Sequence, residues 1–333
     1  MRKAIRLVLV LAALSACTSG PGEHTSHSLI IATATPGGTY YPVGVAIGTL
    51  ISSRLSPAIT ASAMNSAGSG ENIQMLANSE VQLAILQGLY AARAYHGLAP
   101  YEEEPHTNLR AITALWQNVE HFLLLKRHAP TGNIQDLKGL GARFSVGKRG
   151  SGTEGSTLAI LEVIGVKQEA HYSPEYLGYG PSAQAMMDNR IAGASIPAGT
   201  PVSAVTQAFA QLGPERLTVL TFSDDQVQAV ARTHKVWSRH VIPPGTYPGQ
   251  VDSIRTISQP NVLACRSDVP ENVVYRITKT IFENRDYLAE VHRAAEALSL
   301  DRALIGLAIP VHPGAARYYR ERGLDIPSEL SRQ

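Results

Sequence analysis

The 333-residue sequence has only two cysteines, Cys17 and Cys265. Two cysteines cannot build a disulfide framework or a cysteine zinc site, and no His-Glu-x-x-His pair is present to replace them. The sequence also lacks the Gly-x-Ser-x-Gly elbow of α/β hydrolases, and no nucleophile is linked to a histidine by a motif. We therefore expect no metal, no cofactor and no catalytic residues.

An excess of positive charge is also missing once the first residues are set aside. Three of the 29 Lys and Arg residues precede Cys17, which leaves 26 basic residues against 27 acidic ones. Beyond Cys17, no Lys/Arg cluster is longer than two residues. Because nucleic-acid-binding surfaces need clustered positive charge, we expect no nucleic-acid partner.

Long hydrophobic runs are absent except at the start of the chain. The apolar stretch Leu7 to Leu14 follows three basic residues and is too short to span a bilayer as a finished helix. Leu14-Ser15-Ala16-Cys17 then resembles a bacterial lipobox. We predict a signal peptide at 1–16, a lipidated Cys17 that anchors the protein to a membrane, and a tether at 17–28 rich in Gly, Ser, Thr and His.

The alternatives for this region are an uncleaved anchor and an ordinary secretory signal. All three readings place the body of the protein outside the cytoplasm, in the periplasm or another extracytoplasmic space. The lipoprotein reading adds that membrane contact is made only through the lipid on Cys17.

The remaining chain alternates strand-like and helix-like segments, which is typical of an α/β fold. Its length exceeds what one core usually holds, so we expect two lobes. Ser223 and Gln226 form a capping box for a helix through Val230, and the Pro- and Gly-rich segment 243–249 is predicted to connect the lobes. A helical tail is predicted over 270–298. The predicted strands are 29–34, 59–64, 81–86, 142–146, 190–196 and 217–222.

Two short loops about a hundred residues apart share the same chemistry. The segment from Gly37 to Pro42 and the segment from Gly150 to Thr153 each follow a predicted strand and precede a predicted helix. This arrangement leaves free backbone N–H groups and hydroxyls at a helix N-terminus, where the helix dipole favours an anion. Two such loops in different halves of the chain suggest that both halves close on one small ligand.

Eight segments, read in order, resemble the TAXI family, the solute-binding subunits of one branch of TRAP transporters. The match runs from about residue 28 to 323. The segments are Gly-Gly-Thr-Tyr-Tyr-Pro-Val-Gly at 37–44, Ser-Ala-Gly-Ser-Gly-Glu-Asn at 66–72, Leu-Gln at 86–87, Asp-Leu-Lys-Gly at 136–139, Gly-Ser-Gly-Thr at 150–153, Ile-Pro-Pro-Gly-Thr-Tyr at 242–247, Val-Tyr-Arg-Ile-Thr-Lys at 274–279 and Ile-Pro-Val-His-Pro-Gly-Ala at 309–315.

The resemblance implies a monomeric two-lobed periplasmic binding protein of type II, in which each lobe is a mixed sheet flanked by helices. Lobe 1 would comprise 29–116 plus 252–333 and lobe 2 would comprise 117–251. The ligand would be a small organic anion, either a glutamate-like amino acid or a dicarboxylate, bound between the lobes without any chemical step. The partner would be the membrane subunit of a TRAP transporter.

The resemblance also implies which residues contact the ligand. For an isolated loop, helix capping is the more common role of Gly, Ser and Thr, and the family context favours ligand contact instead. The implied ligand-binding residues are Gly38, Thr39, Tyr40, Ser66, Gly68, Ser69, Asn72, Gln87, Lys148, Arg149, Ser151, Gly152, Thr153, Thr200 and Pro201.

Lys148 and Arg149 depart from the family pattern, which usually has Pro or a small residue at this point. A cation beside an anion site would favour a ligand with a second carboxylate, although exposed loop cations are usually only solvated. Two other functions stay open for the chain as a whole: a sensory or adaptor lipoprotein with the same fold, and an exported enzyme that uses the same cleft.

Overall fold

The computed structural model describes residues 26–331. The predicted signal peptide, the predicted lipidation site Cys17 and most of the predicted tether lie outside this range. The end of that tether is not a linker, however, because the first strand begins at His27. None of the helices within 26–331 is long and apolar enough to cross a membrane.

Eleven strands and ten α-helices follow one another along the described chain. The strands are β1 His27–Ala32, β2 Ile59–Met64, β3 Leu83–Gln87, β4 Leu109–Val119, β5 Phe122–Leu125, β6 Arg143–Ser145, β7 Ser173–Glu175, β8 Gly193–Ser195, β9 Leu217–Val219, β10 Ser238–Ile242 and β11 Ile254–Arg266. The helices are α1 Tyr40–Leu55, α2 Ser69–Ala77, α3 Gly88–His96, α4 Gly152–Ile164, α5 Tyr179–Met187, α6 Ser203–Leu212, α7 Asp224–His234, α8 Glu271–Glu283, α9 Arg285–Val291 and α10 Pro313–Glu321.

The first lobe is built on a six-stranded mixed sheet with the order β10-β11-β3-β1-β2, in which β4 also pairs with β11. Strands β1, β2 and β3 are parallel, while β11 runs antiparallel to β3, β4 and β10. The carboxyl ends of the three parallel strands therefore meet at one edge, and α1, α2 and α3 begin there. This edge faces the second lobe.

The second lobe is built on a five-stranded mixed sheet with the order β7-β6-β8-β5-β9. Strands β6, β7 and β8 are parallel, and α4 and α5 begin after the carboxyl ends of β6 and β7. The predicted pair of mixed sheets flanked by helices is confirmed. The segment 243–249 differs from its prediction, because it joins β10 to β11 within the first sheet.

Sequence patterns predicted most helices, but several helix and strand boundaries in the structure differ from the predicted ones. The apolar stripe of α1 is buried as expected, and Ser223 and Gln226 form the predicted capping box at the start of α7. The predicted helical tail is broken, because α8 ends at Glu283 and α9 ends at Val291. The strand predicted at 190–196 is shorter and comprises only Gly193–Ser195.

The chain crosses between the sheets where β4 of the first sheet is followed by β5 of the second. Glu120 and His121 fill this crossing and are both fully buried. The Glu120 N–H donates to the carbonyl of Ile257 on β11 at 2.9 Å, and the His121 carbonyl accepts from the N–H of Ile196 at 2.9 Å. These two backbone bonds attach the crossing to one sheet on each side.

Candidate functional site

A cavity lies between the two lobes, and its empty volume, which includes open solvent at the mouth, is about 450 Å³. Four helices begin at its wall, two from each lobe. In each case the residue that precedes the helix and the first helical residue both line the cavity: Thr39 and Tyr40 of α1, Gly68 and Ser69 of α2, Ser151 and Gly152 of α4, and Gly178 and Tyr179 of α5.

These four helix N-termini make the cavity electropositive. The first N–H groups of a helix have no intrahelical partner and carry the positive end of the helix dipole. A side chain caps only one of the four helices, α4, where Ser151 accepts from the N–H of Glu154 at 3.0 Å. The wall therefore offers N–H donors from α1, α2 and α5 to an anionic group.

Charged side chains also contribute to the positive potential of the cavity. Lys148 lines the mouth of the cavity, and no Asp or Glu does so among residues 26–331. The two nearest carboxylates on these helices each accept from their own loop: Glu71 from the N–H of Ala67, and Glu154 from the N–H of Gly150 at 2.7 Å. The site thus combines one cation with four helix dipoles.

Hydrogen bonds join the lobes directly across the cleft, so the structure is a closed form. Thr39 Oγ1 in the first lobe donates to the carbonyl of Gly199 in the second at 2.9 Å. Tyr90 Oη, on α3 of the first lobe, donates to the carbonyl of Ser151 in the second lobe at 3.2 Å. Burial raises the pKa of Tyr90 to about 12, so this phenol stays protonated and remains a donor at physiological pH.

Glycine allows the lobes to approach this closely. A Cβ on Gly70 at the start of α2 would collide with the carbonyl of Gly150 in the other lobe. A Cβ on Gly152 would lie 2.7 Å from Ser69 Oγ and 3.1 Å from the Gln87 side chain. Neither glycine has a positive φ, so backbone contact across the cleft is the reason for the missing side chain.

Two tyrosines, one from each lobe, form part of the wall. Tyr40 donates to Asn261 Oδ1, and Tyr179 donates to the carbonyl of Pro197. Thr153 Oγ1 lies 2.9 Å from Tyr179 Oη and donates to it, since the Tyr179 proton is already used. Burial is the main cause that raises the pKa of both phenols, so both rings stay neutral.

Two buried amide side chains line the first-lobe side of the cavity with atoms that have no partner. Gln87 ends β3 and is 3% exposed, and Asn118 near the end of β4 is 1% exposed. Gln87 Oε1 and Asn118 Nδ2 make no hydrogen bond to the described part of the chain. Buried amides without partners cost free energy, which a ligand or a water that reaches them would recover.

Ten of the fifteen residues predicted to bind the ligand are brought together at the cavity wall. Their assembly at one place is a structural fact, whereas their contact with a ligand stays a prediction. They are Gly38, Thr39, Tyr40, Gly68, Ser69, Gln87, Lys148, Ser151, Gly152 and Thr153.

Ser66 and Asn72 were also predicted to contact the ligand, but the structure uses them inside the first lobe. Asn72 Nδ2 donates to the carbonyls of Thr33 at 2.7 Å and Ile85 at 2.9 Å. Ser66 Oγ lies 2.6 Å from Asn72 Oδ1 and accepts from the N–H of Gly68 at 2.9 Å. These bonds hold the loop that carries Gly68 against β1 and β3, so both residues position the wall without lining it.

Arg149, Thr200 and Pro201 lie away from the cavity as well. The guanidinium of Arg149 stacks 3.6 Å from the ring centroid of Tyr176, a cation–π contact on the second lobe. Thr200 lines a separate open groove beside Trp116 at the back of the lobe crossing. The residues that close the cavity floor instead are Pro197 and Ala198.

Sequence reasoning missed Asn118 and Tyr179. A signal for Tyr179 was present, since Gly178-Tyr179-Gly180-Pro181 repeats the glycine, tyrosine and proline of the loop at 37–42. Asn118 lies in the segment Gln117 to His121, in which four of the five residues are polar, within an otherwise apolar region, and this is a weaker signal. The other lining residues that were not predicted are Ala34, Thr35, Ala67, Gly178, Pro197 and Ala198.

Behind the cavity, the lobe crossing holds two buried titratable groups. Glu120 Oε1 accepts from Trp237 Nε1 at 3.0 Å, and burial raises the pKa of Glu120 to about 8. Burial also lowers the pKa of His121 to about 4, so its ring is neutral. His121 Nδ1–H donates to the carbonyl of Val119 at 2.9 Å, and its Nε2 accepts from Tyr247 at 2.7 Å.

Within residues 26–331, no group of three or more His, Cys, Asp or Glu is placed to hold a metal ion.

Two mixed sheets flanked by helices, with a cavity between them, are the architecture of the type II periplasmic binding protein fold. A protein-family model described as the NMT1-like family matches residues 31–323, and the chain belongs to this family.

Solved structures with low sequence identity share this fold. MatC from Rhodopseudomonas palustris with bound malate is 14% identical, with 89% of this chain and 97% of that chain covered and a TM-score of 0.53. A protein from Bordetella bronchiseptica RB50 is 15% identical, with 90% of each chain covered and a TM-score of 0.53. At these identities the likeness concerns the fold, and it confirms the predicted fold class.

Proposed function

We propose that this protein is an extracytoplasmic solute-binding protein that captures a small organic anion by closing its two lobes. The observation that carries the proposal is the convergence of four helix N-termini and Lys148 on one cavity without a lining carboxylate. The hydrogen bonds between Thr39 and Gly199 and between Tyr90 and Ser151 form only when the lobes meet. A ligand that bridges the lobes therefore stabilises the closed form by its differential affinity.

No step of this function makes or breaks a bond. The cavity wall contains hydroxyls, amides, backbone donors and Lys148, and the hydroxyls of Tyr40, Thr153 and Tyr179 are engaged with other protein groups. His121, between β4 and β5, is buried and uses both ring nitrogens on protein partners. This arrangement favours binding over acyl or proton transfer.

We further propose that the protein is a TAXI-type lipoprotein that acts as a monomer and delivers its ligand to a TRAP transporter membrane subunit. The eight ordered sequence segments support this assignment, and the lipobox-like sequence at 14–17 supports an anchor on Cys17. The permease would recognise the closed surface of the two lobes.

Calorimetry and small-angle X-ray scattering test capture and closure. A panel of mono- and dicarboxylates, amino acids and sugar acids is added to the mature protein that lacks the lipid anchor. A ligand at 100 times its dissociation constant should stabilise the fold by about 2.7 kcal/mol and shrink the radius of gyration. Binding only of neutral solutes, or binding without compaction, would argue against the proposal.

Reconstitution into membranes tests whether the protein delivers its ligand to a transporter. The full protein is placed in proteoliposomes together with the membrane subunits of a TRAP transporter, and uptake of the bound anion is measured with and without a sodium gradient. Gradient-dependent uptake that requires this protein supports delivery to a transporter. Tight binding without uptake would instead favour a sensory role.

A further inference from the structure

Gln87 contributes a neutral amide, and not a carboxylate, to the wall of the cavity. Gln87 is buried, lines the cavity, and has its Oε1 atom without a hydrogen-bond partner. It is held in position at the end of β3, since its backbone N–H donates to Ser69 Oγ at 3.0 Å and β3 pairs with β11. The backbone that carries this amide is therefore held in place at the wall.

We propose that Gln87 is a specificity-determining residue and that the cavity selects organic anions without an ammonium group over their amino-acid counterparts. This inference rests on the proposed function and narrows its ligand class. The predicted choice between a glutamate-like amino acid and a dicarboxylate is thereby decided in favour of the dicarboxylate or a related amine-free acid.

The positive electrostatic potential of the cavity supports the selection of anions without an ammonium group. An ammonium group carried into the cavity meets four helix N-termini and Lys148, all of which repel a cation. A buried ammonium without a counter-charge is strongly disfavoured, because its hydration is lost and nothing of opposite charge replaces it. Gln87 Oε1 offers a single neutral acceptor, whereas an ammonium has three donors to satisfy.

The nearest carboxyl groups do not supply the missing charge. Glu71 and Glu154 accept hydrogen bonds from their own loops outside the wall, at Ala67 and Gly150. Glu120 lies behind the wall, where its Oε1 accepts from Trp237 and burial favours the protonated, neutral form. None of these three residues lines the cavity.

Carbonyl oxygens that could accept from an ammonium are also engaged by protein donors. Thr39 donates to Gly199 at 2.9 Å and Tyr90 donates to Ser151 at 3.2 Å. Tyr179 donates to Pro197. These three carbonyls at the closed cleft thus already accept from protein donors, while the helix N-termini keep backbone N–H groups for an anion.

Matched ligand pairs test the inference on the wild-type protein. Succinate is compared with aspartate, and glutarate with glutamate, since each pair differs by one amino group. Calorimetry at pH 7 is expected to show at least 30-fold tighter binding of the amine-free member of each pair. Equal or tighter binding of the amino acids would overturn the inference and leave the proposed function intact, whereas no binding of any carboxylate would overturn both.

A substitution of Gln87 tests whether this residue sets the preference. The Gln87→Glu variant places a carboxylate in the wall at nearly unchanged volume, and Gln74→Glu on the exposed face of α2 is the matched control. The amino-acid to dicarboxylate affinity ratio is expected to rise at least tenfold in Gln87→Glu and to stay unchanged in Gln74→Glu. An unchanged ratio in a folded Gln87→Glu variant would show that Gln87 does not discriminate.

Discussion

Thr39 in the first lobe donates a hydrogen bond to the carbonyl of Gly199 in the second lobe at 2.9 Å, and Thr39 is only 1% exposed. This bond exists only when the lobes meet. The bond therefore contributes to the free-energy difference between the open and closed forms, and it does not contribute to the stability of either lobe alone.

Replacement of Thr39 by Val keeps the shape of the side chain and removes this bond. The net contribution of a hydrogen bond is about 0.5–1.5 kcal/mol, so we expect ligand affinity to fall roughly 2- to 12-fold. Calorimetry measures the affinity, and scattering should show a larger open population. Thr49→Val on the exposed face of α1 is the control and should bind like the wild type. Unchanged affinity in Thr39→Val would contradict a role in closure.

Gly70→Ala should separate stability from binding. The added Cβ would collide with the carbonyl of Gly150 only in the closed form, while alanine is a better helix former than glycine by up to about 1 kcal/mol. We expect the thermal midpoint without ligand to stay the same or rise, and affinity to fall more than about tenfold. Gly180→Ala is the matched control, because Gly180 is likewise the second residue of its helix and its Cβ would meet open space. Normal closure of Gly70→Ala would show that this contact does not limit the approach of the lobes.

Glu120 should make stability depend on pH. Its pKa is raised from 4.5 to about 8 by burial, so between these values the folded state keeps a proton that the unfolded chain has released. The stability contribution is complete below about pH 4.5 and is lost as the pH rises towards 8, by roughly 1.4 kcal/mol per pKa unit. Denaturant titrations from pH 5 to 9 should show this decline in the wild type and a flatter profile in Glu120→Gln. The exposed Glu103→Gln variant should follow the wild type, and an identical slope in Glu120→Gln would rule out this carboxyl as the source.

Lys148 and Arg149 should behave differently although they are neighbours. Lys148 lines the cavity mouth, whereas Arg149 stacks on Tyr176. We expect Lys148→Met to weaken dicarboxylate binding by roughly fivefold at low salt and monocarboxylate binding by less, since an exposed charge contributes up to about 1 kcal/mol. High salt should reduce the difference by screening. Arg149→Met should leave affinity unchanged, and a loss there equal to that of Lys148→Met would mean that both cations face the ligand.

The positions of the helix starts were predictable because local chemistry sets them. The loops at Gly37 and Gly150 follow strands and precede helices in the structure as in the prediction, with α1 from Tyr40 and α4 from Gly152. Glycine and hydroxyl residues at these points satisfy a requirement that acts within a few residues of sequence. The convergence of α1 and α4 with α2 and α5 on one cavity could not be predicted from the same local signals.

The direction of a polar side chain is decided by distant neighbours. Ser66 and Asn72 have the composition of ligand contacts, yet they bond to Thr33, Ile85 and Gly68 within the first lobe. Thr200 has a hydroxyl at a plausible place after β8, yet it faces another groove. Nothing within a few residues of these positions distinguishes a structural amide or hydroxyl from a binding one.

The sequence by itself determined the alternation of strands and helices, the two glycine-rich helix starts, and the lack of motifs for metal or covalent chemistry. These properties depend on local propensity and composition. Tertiary structure decided that β10 returns to the first sheet, that Tyr179 and Asn118 join the wall, and that the wall contains no carboxylate. Those features arise from pairing and packing between segments far apart in the chain, where the free energy of burial outweighs any local preference.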